Sequence, residues 1–203
     1  MVNDILVCNN ICEDINLERI FPRPDIDPDK IKLVMISEAP SLDPSDYFYR
    51  GTSSSFFLTT KTVFQDAGYQ IDSFADLENM GIYLTTAIKC SKKKNFISGI
   101  TISRCSAILE REISQFRNMK VIMCMGDVAI KAINHIYRKN IGRAPIKAGS
   151  TYRIRQDRHE LNGIRFYPSY TQTGKSFNLE KSKRRMIAED IRNALEFLKE
   201  NPL

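Results

Sequence analysis

Ile31-Lys32-Leu33-Val34-Met35-Ile36-Ser37-Glu38-Ala39-Pro40 is a short apolar run that stops at a serine and turns at a proline. Four consecutive apolar residues without polar alternation, Leu33 to Ile36, predict a strand buried on both faces, as in a parallel sheet covered by helices. Two further runs of the same kind follow, Ile82 to Ile88 and Val121 to Met125. Between and after them lie segments with helical periodicity. Phe56 to Ala67 is closed by Gly68 in a capping position, and Ser98 to Phe116 places Ile102, Cys105, Leu109, Ile113 and Phe116 on one face. Asp127 to Tyr137 carries a stripe of Ala129, Ile130, Ile133, Ile136 and Tyr137, and Leu179 to Leu198 has the clearest stripe, from Met186 to Leu198. Thr151 to Arg155 and Ile164 to Tyr167 alternate as strands around the Asn162-Gly163 turn.

Short apolar strands alternating with amphipathic helices define an α/β fold. The expected architecture is a three-layer sandwich with a central, mainly parallel, four-stranded sheet. Ligands of such sheets sit at the carboxyl ends of the strands. That directs attention to the turns Ser37 to Ser41, Thr85 to Cys90, Gly126-Asp127 and Pro168 to Lys175. Ahead of the first strand, residues 1–30 are rich in Asp, Asn and Pro and read as an irregular segment, with a helical turn at Asp14 to Ile20.

The 203 residues fit one domain, and 42% hydrophobic with 27% charged residues excludes wholesale disorder. No apolar run approaches the ~20 residues of a membrane span, and the first ten residues lack the basic start and apolar core of a signal peptide. A cytoplasmic, monomeric protein is expected. The net charge of +6 is unevenly spread: residues 138–203 hold 15 basic and 7 acidic side chains, a net of +8, whereas residues 1–137 are slightly acidic. A basic final third suits a polyanionic partner such as nucleic acid, or is simply a lysine-rich surface. Five cysteines with no leader point to reduced thiols or metal ligands rather than a disulfide framework.

Taken in order, the turns resemble the motifs of the uracil-DNA glycosylase superfamily, most closely its iron–sulfur branch, family 4. Ser37-Glu38-Ala39-Pro40-Ser41 stands where that branch has Gly-Glu-Ala-Pro-Gly. Thr85-Thr86-Ala87-Ile88-Lys89-Cys90 stands for Thr-Asn-Val-Val-Lys-Cys, and Met125-Gly126-Asp127-Val128-Ala129 for Leu-Gly-x-x-Ala. Pro168-Ser169-Tyr170-Thr171-Gln172-Thr173 stands for Pro-Thr-Tyr-His-Pro-Ser. No single motif is decisive; the ordered set with its matching spacing carries the resemblance, which runs over nearly the whole chain, from Cys8 to Leu198.

The resemblance implies a DNA repair glycosylase of base excision repair, which hydrolyses the bond between deoxyribose and uracil or another damaged base flipped out of DNA. It implies catalytic roles for Glu38 and Thr171, and substrate contacts at Ser37, Ala39, Pro40, Thr86, Ser169 and Tyr170. It also implies a [4Fe–4S] cluster on Cys8, Cys12, Cys90 and Cys105, four thiolates being what such a cluster requires. The spacing of the first pair is one residue longer than usual. Zinc accepts the same donors, and Cys105, on an apolar helix face, also suits a core thiol with no metal. Cys124, inside the third strand, is expected to pack in the core.

Two departures weaken the implied activity. Thr86 replaces the base-reading asparagine, and one hydroxyl cannot give the paired donor and acceptor of an amide. Thr171 replaces the histidine of the last motif. Of the chain's two histidines, His135 is expected at a helix surface or core edge and His159 in a solvated loop. Phe48, Tyr49 and Phe56 are the candidates to stack on a base. Lys92, Lys93, Lys94, Lys175 and Arg184 are the expected DNA contacts, the DNA being single-stranded or damaged. Cations that open the final helix oppose its dipole, which calls for another reason for their presence. The alternative is a catalytically silent, nucleic-acid-binding member of the same fold. A small-nucleotide enzyme is disfavoured because no glycine-rich phosphate loop is present.

Overall fold

A computed structural model describes residues 8, 11–19, 26–93, 96–172, 177 and 180–202. Among them are seven strands and six α-helices. The strands are β1 (Ile15–Arg19), β2 (Leu33–Ser37), β3 (Ile82–Thr86), β4 (Cys90–Lys92), β5 (Val121–Met125), β6 (His159–Leu161) and β7 (Ile164–Ser169). The helices are α1 (Ser55–Asp66), α2 (Phe74–Asn79), α3 (Gly99–Ile113), α4 (Asp127–Ile141), α5 (Thr151–Ile154) and α6 (Lys181–Glu200).

The main sheet runs β3-β2-β5-β7-β6. β3, β2, β5 and β7 are parallel, and β6 adds an antiparallel edge. β2, β3 and β5 are buried along their whole length, as their apolar runs Leu33–Ile36, Ile82–Leu84 and Val121–Met125 favour, and the Ser37, Thr85 and Thr86 that end β2 and β3 are buried with them. Alternate residues serve opposite layers. Val34 and Ile36 join α3 and α4 in one apolar cluster, while Leu33 and Met35 join α1, α2 and α6 in the other. This is the three-layer sandwich expected, with a fifth strand at one edge.

Local signals set most boundaries. Ser54 accepts from the Phe57 amide at 3.1 Å and starts α1; Ser98 accepts from the Thr101 amide at 3.2 Å and starts α3. Gly68, at φ +92°, follows the last turn of α1. Asn162 and Gly163 both adopt positive φ, which fits the tight β6–β7 turn. α2, not foreseen, begins with a capping box between Ser73 and Asp76.

Three expectations need correction. The helical turn expected at Asp14 to Ile20 is not there over the described residues: β1 occupies Ile15–Arg19 and pairs antiparallel with β4, with Ile15 opposite Lys92 and Arg19 opposite Cys90, and Ile20 lies outside the described residues. The pairing joins segments some 75 residues apart, so no local pattern announces it. Thr151 to Arg155 is not a strand; α5 occupies it, and the strand entering the Asn162-Gly163 turn is His159–Leu161. Alternation there reflects a buried Ile154 followed by a buried Arg155, whose guanidinium binds Asp190. His159 is not solvated: it is buried in β6, with Nε2 2.9 Å from the Ile154 carbonyl.

Candidate active site

The carboxyl end of β2 opens into a cavity of about 240 Å³. Glu38, Pro40, Phe48, Phe56, Lys92 and Thr171 are among its walls. The backbone of the Thr85 to Cys90 turn holds this end of β2 in place: the Ala87 amide donates to the Ser37 carbonyl at 2.8 Å and the Ile88 amide to the Glu38 carbonyl at 2.9 Å. Below the turn, the buried Lys89 ammonium donates to Thr85 Oγ1 at 2.7 Å and to the Thr86 carbonyl at 2.5 Å, and pairs with the buried Glu112 carboxylate. Tyr83 and Thr85 donate to the same carboxylate at 2.8 and 2.9 Å. A buried charge pair satisfied this fully fixes a turn rigidly.

Gly126, the residue between β5 and α4, forms part of the site by its lack of a side chain. A Cβ there would stand 2.6 Å from Thr171 Oγ1 and 2.9 Å from Glu38 Oε1. Both side chains therefore close in on the same bare backbone. Thr171 Oγ1 donates to the Met125 carbonyl at 3.4 Å, and its neighbour Gln172 is anchored to Thr60 of α1 at 2.8 Å. The Lys92 ammonium lies 3.6 Å from Glu38 Oε2. Phe48 and Phe56 pack edge to face, and Asp46 fixes Phe56 by accepting from its amide at 3.0 Å and from Ser55 Oγ at 2.5 Å.

The cavity thus gathers Ser37, Glu38, Ala39, Pro40, Lys92 and Thr171 from the sequence-predicted set. Other members lie apart from it. Thr86 is buried at the end of β3, and its hydroxyl has no hydrogen-bond partner among the described residues. Ser169 is fully buried and donates to Asp190 Oδ2 at 2.6 Å, which makes it part of a core network. Burial pushes the Asp190 carboxyl up to about 6, against the pull of hydrogen bonds from Arg155 and Ser169. Tyr170 is half-buried, with the Lys183 ammonium 5.6 Å from its ring centre. Arg184 holds Asp66 through two hydrogen bonds of 2.5 and 2.8 Å. Lys93 is exposed. Lys94 and Lys175 lie outside the described residues. The buried Lys89–Glu112 pair escaped sequence reasoning, although Lys89 sits within a quoted motif; an acidic residue on an apolar helix face was the available signal.

The cysteines converge on the side of the sheet covered by α3 and α4. Cys12, Cys90 and Cys105 are buried in one apolar cluster, and Cys8 is half-buried. Burial raises the Cys105 thiol pKa; the Lys89 amide donating to its sulfur lowers it, and Cys8 and Cys12 are near enough to push it up. Among the described residues, no three His, Cys, Asp or Glu side chains stand in a metal-holding group. Cys124 is fully buried, which raises its pKa, as a core thiol's should be. Among the described residues no helix is long and apolar enough to cross a membrane.

A parallel sheet with a carboxylate and a hydroxyl at its carboxyl end, beside an aromatic wall, has the cavity where ligands of α/β sheets bind. The sequence matches the uracil DNA glycosylase superfamily over residues 24–196, and the chain belongs to that superfamily. It is also similar to the type-5 uracil-DNA glycosylase of Thermus thermophilus, with 27% identity over 100 residues. That alignment covers 49% of this chain and 46% of the relative, so the chain spans under half the length of the protein it matches.

Proposed function

We propose that the protein is a DNA glycosylase that hydrolyses the N-glycosidic bond of uracil or a related damaged base flipped into the cavity at the end of β2. The observation that carries this reading is the close approach of both Glu38 and Thr171 to Gly126, inside a cavity walled by Phe48 and Phe56. Extruding a base costs a few kcal/mol, least for mispaired or single-stranded DNA. Aromatic rings at the wall repay part of that cost by stacking. Bond cleavage builds positive charge on the sugar. The Glu38 carboxylate offsets that charge and takes a proton from the attacking water. Thr171 Oγ1 donates its one proton to the Met125 carbonyl, so it would have to turn from that carbonyl to donate to the base. Lys93, Lys94, Lys175 and Arg184 are proposed phosphate contacts, with Arg184 first releasing Asp66.

The thiols of Cys8, Cys12, Cys90 and Cys105 fit a [4Fe–4S] cluster in donor type, three of them sharing one buried apolar cluster. Bound there, it would supply a cross-link between the N-terminal segment, β4 and α3. Protein purified without oxygen should carry about four irons per chain. A metal-free preparation would discard the cluster and leave the glycosylase reading on the cavity alone.

The functional test is base release from oligonucleotides containing uracil, hypoxanthine or xanthine, single-stranded and mispaired. Activity should fall on the order of 10²-fold or more in Glu38→Gln. No release from any substrate, with DNA affinity that weakens as salt rises, would instead establish a silent binding protein. That outcome has its own motive in Thr86 and Thr171, whose hydroxyls stand where the branch it resembles has an amide and an imidazole.

A further inference from the structure

We infer that Lys92 is a catalytic residue of this site, the cation that stabilises the departing base, and not a phosphate contact; the inference rests on the glycosylase reading above. Heterolysis of the N-glycosidic bond leaves its electron pair on the base nitrogen, so the base departs as an anion. Water adds to C1′ of the deoxyribose, its proton passes to Glu38, and the base anion is finally protonated. A developing anion in a partly enclosed cavity needs a preorganised donor or positive charge. Of the cavity's described lining residues, Lys92 is the cation; the remaining charged ones are Glu38 and Asp46.

Lys92 is well placed for this. Its backbone is held at the end of β4 by pairing opposite Ile15 in β1. Its ammonium lies 3.6 Å from Glu38 Oε2, beyond hydrogen-bond length, so the contact is ionic and does not consume a donor. Its side chain is 39% exposed and that of Glu38 26%. Half-covered charges of this kind act across a lower effective dielectric than solvated ones. The neutral alternative in the cavity is the Thr171 hydroxyl, whose one proton already goes to the Met125 carbonyl and which is a weaker donor than an ammonium. A phosphate at Lys92 would have to settle beside the Glu38 carboxylate, where like charges repel. Lys93, exposed next to it, suits a phosphate far better. One pair of adjacent lysines thus divides between the reacting base and the DNA backbone.

The test compares wild type, Lys92→Met and Lys92→Arg in single-turnover base release from uracil and 5-fluorouracil oligonucleotides. Binding to an uncleavable abasic analogue is measured alongside, over a range of salt. Loss of the charge should slow uracil release by about 10²- to 10³-fold, the range seen when one donor to a developing anion is removed. The loss should be smaller for 5-fluorouracil, whose ring carries negative charge more readily. Lys92→Arg should recover most of the rate. Affinity for the analogue and its salt slope should stay unchanged. Equal rates for Lys92→Met and wild type would overturn the inference. So would an equal loss for both bases together with a salt slope shallower by about one unit, the mark of a phosphate contact. A wild-type protein that releases no base overturns the glycosylase reading itself, and this inference with it.

Discussion

Replacing Gly126 by alanine should disable the site and weaken the fold. Gly126 sits at φ +102° and ψ 168°, a region open essentially to glycine alone. Forcing an L-residue into that conformation costs of order 1–3 kcal/mol. The new methyl would also stand 2.6 Å from Thr171 Oγ1 and 2.9 Å from Glu38 Oε1, against an ordinary contact of 3.4 Å or more. Thr171 is held through Gln172 and cannot retreat freely, whereas the Glu38 carboxylate can swing aside but only by leaving its place over Gly126. Relieving such an overlap adds roughly 1–3 kcal/mol. The sum is a destabilisation of about 2–6 kcal/mol. Urea unfolding measures it directly, through a lowered midpoint at unchanged slope. Base-release assays on the folded variant should show activity far below wild type, because the carboxylate and the hydroxyl no longer converge. A variant within about 0.5 kcal/mol of wild type, the scatter of an ordinary surface change, would refute the close approach on which the site is built.

Other outcomes follow from the buried charges. Lys89→Met should cost about 3–5 kcal/mol by stranding the Glu112 carboxylate, and the double change Lys89→Met with Glu112→Leu should recover much of it; chemical denaturation of the four members of that cycle decides, and a double variant no better than the single one contradicts the pairing. Asp190, with its pKa raised to about 6 by burial, binds its proton more tightly folded than unfolded. Its contribution to stability is therefore fullest below the unfolded pKa of about 3.9 and declines as pH rises through about 6. The stability difference between wild type and Asp190→Asn should fall across that window, and a flat difference would show that Arg155 holds the carboxylate ionised throughout.

Much of the site's order along the chain was legible because parallel strands put their functional turns at one end. Glu38 directly follows a strand recognisable from four apolar residues, and Gly126 directly follows another. The assembly of the cavity was less legible. Phe48 and Phe56 were candidates on equal terms with Tyr49 until packing chose: Tyr49 turns its hydroxyl into β3, bonded to the Leu84 backbone at 3.0 Å. Ser169 and Tyr170 lie on the same motif as Thr171, but Ser169 is the last residue of β7 and is buried against Asp190 of α6, whereas Tyr170 and Thr171 follow the end of the strand.

The amino-acid sequence alone determined the layered α/β architecture, the parallel strands and the existence of α1, α3, α4 and α6. Each depends on periodicity and capping within about a dozen residues. Only the tertiary structure decided that β1 pairs with β4, that α5 is helical, that His159 is buried, and that Arg184 is occupied by Asp66. It alone set Lys92 beside Glu38. These depend on partners 5 to 118 residues away, and pairings across such distances follow from how the layers close on one another rather than from any local preference.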